Sequence, residues 1–239
     1  MLLLIDTSSA IGRLAVSNGS NLYSEMQLLN STNKSDYIIN NINNLLSSLS
    51  VNTKDISNVA YCNFGSSFTS IRVGLCVAMS MALANNAQLF SLDPACCLAY
   101  DYFCKFNKKE PFTDNCYLVV LLPSYQHRVN LVLIKQEHNS LNDLVNTMTT
   151  VNRYNIDIDD EVKVELPIDY IAGSAILVLN TINNLDLDKF KQQFFYHQQS
   201  VKKKVVFIVG DFQINNIVKL ISMGHLTATN PNNADLYYA

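Results

Sequence analysis

The chain has 239 residues, of which 49% are hydrophobic and 15% charged, and its formal net charge is −3. This length and composition suit one large domain or two smaller lobes with a sizeable core, and they exclude an intrinsically disordered protein. A nucleic-acid surface needs clustered Lys and Arg. The densest basic run, residues 202–204, precedes an apolar run, so we interpret it as solvated residues before a strand.

The first predicted elements are three strands in a meander. Residues 2–6 form a short apolar run that ends in Asp6, and residues 11–17 and 22–29 carry the next two strands. Asn18-Gly19 between the latter two is a strong hairpin signal. Thr7 and Ser8 follow Asp6, which places these three residues on the first turn.

Two predicted helices follow, separated by a fourth strand at residues 58–64. The first helix, residues 35–50, has an apolar stripe that includes Ile38, Ile42 and Leu45. The stretch YCNFGSSFTSIRVG, residues 61–74, opens into the second helix, which is predicted from Ile71 with Ser67 or Thr69 as candidate N-cap. Its small residues recur every four positions and predict close packing of another helix, within the chain or in a partner: Gly74, Ala78 and Ala82.

The later elements are predicted with weaker patterns. A strand at 89–92 leads through Asp93 and Pro94 into a helix, and residues 105–115 read as a linker. Strands are expected at 117–122, 128–135 and 205–210 and ahead of a turn at Gly173, with helices at 140–148, 186–197 and 214–224. Residues 152–165 read as irregular. We therefore expect lobes at 1–105 and 106–239, with the last helix packing back on the first lobe.

Common catalytic and metal motifs are missing from the sequence. No GxxxxGK[ST], GxGxxG, HExxH or GxSxG pattern occurs, and none of the four histidines lies in a recognisable motif. The six cysteines have no zinc-site spacing, so we expect reduced thiols and no metal site. The initial MLLLI is too short for a secretion signal, and no run approaches the ~20 apolar residues of a membrane span. We expect a cytoplasmic protein.

The turn Asp6-Thr7-Ser8 gives the most specific indication of fold. In actin-like proteins and sugar kinases, an Asp ends the first strand and a hydroxyl-rich turn meets phosphate and magnesium. The order β-β-β-α-β-α matches one lobe of that architecture. The predicted fold class is α/β, an actin-like, ribonuclease H-like two-lobed fold with a mixed five-stranded sheet, flanking helices and a reduced second lobe. A second Gly-rich phosphate turn is missing, since neither IAGSA nor VGDF supplies one.

Residues 1–100 resemble the TsaB (YeaZ) family. The resemblance rests on three segments: LLLIDTSSAIGRLAVSNG, NKSDYIINNINNLL and VAYCNFGSSFTSIRVGLCVAMSMALANNAQLFSLDP. In the family's GxGPGSFTGLRIG-type loop, the matching positions are Ser67, Phe68, Thr69, Arg72 and Gly74. The chain departs from the pattern where the family favours Gly, at Cys62, Phe64, Ser66 and Ser70; Gly65 stands for a Pro, and Lys34 for the His that precedes Ser35.

The resemblance implies a non-enzymatic role. TsaB proteins are scaffolds that bind a catalytic paralogue, TsaD, and work with the ATPase TsaE to make N6-threonylcarbamoyladenosine at position 37 of tRNAs reading ANN codons. The same helices can form a homodimer. The implied partner surface comprises Lys34, Ser35, Ile38, Ile42, Leu45, Arg72, Gly74, Leu75, Ala78, Met79 and Ala82.

Two alternatives remain at this stage. The first is an active ATP-dependent phosphotransferase of the sugar-kinase type, which rests on Asp6, Thr7 and Ser8; the same residues are the candidate contacts for ATP or ADP at a partner interface. The second is a peptidase, a description that this superfamily has attracted, and no metal motif or triad in the sequence supports it. We expect no cofactor of the chain's own, no direct nucleic-acid site and no membrane.

Overall fold

The computed structural model describes residues 1–8, 12–28, 34–65, 67–106, 116–123, 128–136, 148–157, 175–179, 206–209, 212–222, 224, 226, 228–231 and 234. The chain divides into two units. Unit 1 comprises Met1–Cys97 and Gln213–Tyr238, and unit 2 comprises Leu98–Phe212 and Ala239. The division falls at Cys97, where the sequence suggested residue 105. Unit 1 is therefore built from two separate stretches of chain.

Unit 1 contains a five-stranded mixed sheet. Its strands are β1 (Leu2–Asp6), β2 (Gly12–Asn18), β3 (Asn21–Leu28), β4 (Asn58–Cys62) and β5 (Gln88–Leu92). Their order is β3-β2-β1-β4-β5; β1 and β4 are parallel, as are β4 and β5, while β1, β2 and β3 form the antiparallel meander. The central strand β1 is buried along its whole length, which explains its continuous apolar run.

Four helices accompany this sheet in the chain: α1 (Lys34–Ser48), α2 (Phe68–Asn85), α3 (Pro94–Phe106) and α4 (Ile214–Ser222). Ser67 is the N-cap of α2, because its side chain accepts a hydrogen bond from the Ser70 amide. At the other end, Asn86 adopts a left-handed conformation and its amide bonds back to the last turn. Asp93 accepts from the Ala95 amide at the start of α3, as its position before Pro94 predicts.

The C-terminal segment returns to unit 1. Helix α4 contacts β3 and buries its apolar residues Ile214, Ile217 and Leu220. Further along the chain, Thr229 pairs with Leu89 of β5 in an isolated antiparallel bridge. Because β3 and β5 are the two edge strands of the sheet, one short segment touches both edges. Exposed edges invite unwanted pairing, and this segment covers part of each.

Unit 2 contains a second five-stranded sheet with the same plan. Its strands are β6 (Cys116–Pro123), β7 (Arg128–Gln136), β8 (Met148–Asp157), β9 (Ala175–Leu179) and β10 (Val206–Val209). Their order, β10-β9-β6-β7-β8, repeats that of unit 1 when β6 is matched to β1. The parallel and antiparallel pairings also correspond. The second lobe was expected to be reduced, but its sheet has five strands, as many as that of unit 1.

Two strands of unit 2 differ from the sequence expectation. Residues 152–157 belong to β8 and are not irregular, and the residues after Gly173 form β9. Strand β8 is an edge strand with a register irregularity opposite Leu133 and Ile134, and polar residues are common at such positions. The helices predicted at 140–148 and 186–197 fall on residues outside the described ones, except Met148, which begins β8.

Helix α2 is the one helix in the described part of the chain whose length and composition would allow it to cross a membrane. The sequence expectation concerned a run of ~20 apolar residues, whereas α2 meets the criterion by the mean hydropathy of 18 residues that include Arg72. In the fold α2 packs one side on the sheet, and four of its 18 residues are buried. It connects the parallel strands β4 and β5 and packs on them and on β1. Such a crossover belongs to a β-α-β unit of a sheet.

Candidate functional site

The turn after β1 and the loop after β4 lie at one edge of the sheet of unit 1. Because β1, β4 and β5 are parallel, their carboxyl ends lie side by side at one end of the sheet, and Asp6, Cys62 and Leu92 are the last residues of these strands. In open α/β sheets this is the usual position for a ligand. We therefore take the Asp6 turn (residues 6–8) and the described residues of the facing loop (63–65 and 67) as the candidate site.

Asp6 is fully buried and its carboxylate is saturated with donors. Oδ2 accepts two hydrogen bonds from Arg13, from Nε at 3.0 Å and from Nη2 at 2.6 Å. Oδ1 accepts from the Ser8 amide at 2.9 Å and from the Ser8 hydroxyl at 2.5 Å. Arg13 is also buried, so solvent does not screen this ion pair. Each carboxylate oxygen therefore accepts two hydrogen bonds.

The residues after Asp6 pack directly against the facing loop and α2. A Cβ added at Gly65 would lie 2.4 Å from both Cα and the carbonyl oxygen of Ser8, so only glycine allows this approach of the two backbones. A Cβ added at Gly74 would lie 2.5 Å from Oγ1 of Thr7. Thr7 Oγ1 is buried and has no hydrogen-bond partner. The glycines of this site thus make room for the protein's own turn.

Two thiols lie close to the Asp6 turn. Burial raises the pKa of Cys62 well above its usual value, and the negative charge of Asp6 raises it further. Burial also raises the pKa of Cys97, with the neighbouring Cys96 as the next cause. Both thiols are therefore protonated at neutral pH and are poor nucleophiles. Asn63 donates to Ser91 Oγ at 2.9 Å, while its Oδ1 is buried without a partner.

A magnesium–nucleotide does not fit these residues. The Asp6 carboxylate already receives four hydrogen bonds, and the Ser8 amide donates to it and not into an open cleft. Within the described residues, no group of three or more His, Cys, Asp and Glu side chains could hold a metal ion. The arrangement provides a rigid, neutralised turn and lacks a free general base at Asp6.

Six of the eleven predicted partner-contact residues are buried in the core of unit 1. Ala78 has 0% of its surface exposed, and Gly74 faces Thr7. These positions are corrected, because side chains inside the core present no surface to a partner; they are Ile38, Ile42, Leu45, Gly74, Ala78 and Ala82. Of the two explanations for the small-residue ridge, packing within the chain is the one observed. The side chains of Lys34 and Ser35 lie outside the described set.

The other predicted positions border the buried side of α2, and two of them, Leu75 and Met79, also pack in part against the core. Only four of the 18 residues of α2 are buried. Arg72 is exposed and stacks over Phe68, with the guanidinium carbon 3.7 Å from the ring centroid, while Leu75 and Met79 are half-buried. Leu83 continues the same i, i+4 row and is 59% exposed, yet our sequence reasoning missed it. We define the α2 outer surface as Arg72, Leu75, Met79 and Leu83.

Helix α1 adds exposed apolar side chains to unit 1. Tyr37 and Ile39 are 55% and 57% exposed, whereas Ile38 and Ile42 are buried; the two exposed side chains flank the buried stripe on its two sides. Large exposed apolar residues on two neighbouring helices that contact each other are a feature of interaction surfaces. The spacing of the apolar residues correctly predicted the buried side of α1. Tyr37 and Ile39 are apolar residues outside that stripe.

Comparison with known proteins identifies the fold. No protein-family model and no curated protein matches the chain. Among solved structures, YeaZ from Pseudomonas aeruginosa superposes with a TM-score of 0.63 over 100% of this chain and 99% of its own, at 12% sequence identity. A second structure, described as an uncharacterized protein with similarity to peptidase YeaZ from Pseudomonas aeruginosa, gives 0.64 over 99% and 98%, also at 12%. The predicted fold class, actin-like with two lobes, is confirmed.

Proposed function

We propose that this chain is a divergent TsaB-type protein: a non-catalytic scaffold that binds and stabilises a TsaD-type paralogue in the complex that makes N6-threonylcarbamoyladenosine at position 37 of tRNAs reading ANN codons. The observation that carries the proposal is the likeness to YeaZ along the whole chain. The motif resemblance of residues 1–100 points to the same family. A TsaE-type ATPase is the further expected partner.

The state of the Asp6 turn supports a role without catalysis. A phosphotransferase of this fold needs a carboxylate that is free to act on magnesium or a hydroxyl group. Here that carboxylate is paired with Arg13 and capped by Ser8. The phosphotransferase alternative therefore loses its main residue. Isothermal titration of the isolated protein with Mg-ATP tests it, and micromolar binding with turnover would restore it.

The α2 outer surface supports a role in partner binding. Its apolar and half-buried side chains are held on a helix whose other side is anchored in the core, so the surface is rigid before binding. Burying a Leu side chain contributes about 1.5–3 kcal/mol. We therefore expect Leu83→Glu to weaken binding to a TsaD-type protein about 10- to 100-fold. The same substitution should shift any homodimer of the isolated chain to monomer, because both interactions use one surface.

The experiment combines binding with function. The TsaD-type protein is co-purified with the wild type, with Leu83→Glu and with Asn215→Glu, a control at an exposed position of α4. The wild type and the control should be retained, and Leu83→Glu should be lost while its urea midpoint stays unchanged. Reconstitution of the tRNA modification, with the nucleoside quantified by mass spectrometry, should need the chain. Full modification without it would refute the scaffold role, and retained binding by Leu83→Glu would refute the surface.

A further inference from the structure

The negative charge of the buried Asp6 carboxylate is neutralised by a side chain of the same protein, Arg13. A buried carboxylate carries a desolvation penalty of several kcal/mol unless a cation or several donors compensate for it. Arg13 supplies the positive charge from within the chain, and its side chain is only 8% exposed. The planar guanidinium meets one carboxylate oxygen with two nitrogens, at 3.0 and 2.6 Å.

The strand register fixes the position of this charge. Asp6 and Arg13 are direct partners in the antiparallel ladder of β1 and β2. Directly opposed residues have Cβ atoms about 4.5–5.5 Å apart, so the side chains meet without any rearrangement of the backbone. The cation is therefore as permanent as the pairing of the two strands, and no diffusible ion is needed to neutralise Asp6.

Groups of the chain itself also occupy the donor and the space that a ligand would use in the rest of the turn. The amide of Ser8, the kind of donor that would meet a phosphate, is turned toward Asp6 Oδ1. The backbone of Ser8 fills the space beside Gly65, and Thr7 fills the space beside Gly74. We propose that the Arg13 guanidinium replaces the divalent cation that would neutralise Asp6 in a nucleotide-binding turn. The turn is then held closed by hydrogen bonds and packing within the chain. This inference concerns the turn itself and is independent of the scaffold role.

The test uses the full chain and Mn²⁺ as the probe ion. Arg13→Ala removes the guanidinium and leaves room beside the carboxylate, and Arg72→Ala removes an exposed guanidinium as the control. Urea unfolding is measured with and without MnCl2. We expect no effect of Mn²⁺ on the wild type or on Arg72→Ala. Arg13→Ala should be less stable and should regain stability, by about tenfold in the unfolding constant at a Mn²⁺ concentration ten times the dissociation constant.

Each outcome decides the proposal. Stabilisation of the wild type by Mn²⁺ or Mg-ATP that disappears in Asp6→Asn would overturn it, and so would an Arg13→Ala protein that responds to Mn²⁺ no more than Arg72→Ala does. If Arg13→Ala does not fold, the double variant Asp6→Asn/Arg13→Ala removes the uncompensated charge. Recovery of folding in the double variant supports the role of Arg13 as counter-ion. Failure to recover shows that Arg13 acts through packing alone, which refutes it.

Discussion

The contact between Thr7 and Gly74 gives a prediction whose sign depends on a single side chain. Replacing Gly74 by Ala inside α2 removes the conformational freedom of glycine, which by itself stabilises a helix by about 0.8–1.0 kcal/mol. The new methyl group would lie 2.5 Å from Thr7 Oγ1. Overpacking of this kind costs about 1–3 kcal/mol. We therefore expect Gly74→Ala to lower the free energy of unfolding by up to about 2 kcal/mol.

The same substitution should become stabilising when Thr7 is shortened. With Thr7→Ala the nearest remaining atom is Cβ, at 3.5 Å, which is an ordinary contact. Gly74→Ala should then raise the free energy of unfolding by about 1 kcal/mol, which gives a coupling energy of about 1–3 kcal/mol between the two sites. Thr7→Val is the matched control, because a methyl group replaces the hydroxyl at the same place and the clash persists.

The assay is urea unfolding followed by far-ultraviolet circular dichroism or tyrosine fluorescence, since the chain has 12 Tyr and no Trp. The two units can unfold in separate steps, so native-state hydrogen exchange at β1 and β4 identifies the transition that belongs to unit 1. Equal effects of Gly74→Ala in the wild-type and Thr7→Ala backgrounds, within about 0.5 kcal/mol, would refute the packing of Thr7 on this helix.

Three further predictions concern the buried thiols and the last helix. Burial, followed by the charge of Asp6, raises the pKa of Cys62, so the folded thiol keeps its proton where the unfolded one ionises. Stability should therefore fall above pH ~9 by about 1.4 kcal/mol per pH unit for this thiol. In urea titrations Cys62→Ala should reduce the slope by this amount and leave the contribution of Cys97, whose pKa burial also raises. Under native conditions iodoacetamide should label the exposed Cys76 and spare Cys62 and Cys97, as read by peptide mass spectrometry; rapid labelling of Cys62 would contradict its burial. Ile217→Ala should cost about 2–5 kcal/mol because this residue is fully buried in α4.

The sequence predicted the elements of unit 1 closely, and the reason is physical. Strands β1, β4 and β5 are bounded by turn or cap residues and have strong apolar runs, and α1 has a clear 3.6-residue period. Side-chain chemistry indicated the role of Asp93 and limited the N-cap of α2 to Ser67 or Thr69, of which the structure has Ser67. In unit 2, β8 was missed because an edge strand needs few apolar residues, and its polar sequence resembles that of a loop.

The candidate site was harder to predict than the fold. The sequence drew attention to Asp6, but its partner Arg13 emerges only from the strand register. The small-residue ridge of α2 predicted close packing, and the pattern alone could not say what packs there; the structure supplies Thr7 and the core. In the hydrophobic pattern of a helix, an exposed apolar residue such as Leu83 cannot be distinguished from a buried one. Such residues become evident only when the inward side of the helix is known.

Because unit 1 is built from two separate stretches of chain, its fold cannot be completed until the end of synthesis. Its first stretch ends at Cys97, and the segment that contacts β3 and β5 begins only at Gln213. A ribosome adds roughly 5–20 residues per second, so the intervening residues of unit 2 take on the order of ten seconds to synthesise. During that interval the emerging sheet has both edges uncovered by their native segment. The nascent chain is therefore a candidate client for chaperones, and premature termination within unit 2 would release a fragment prone to aggregate.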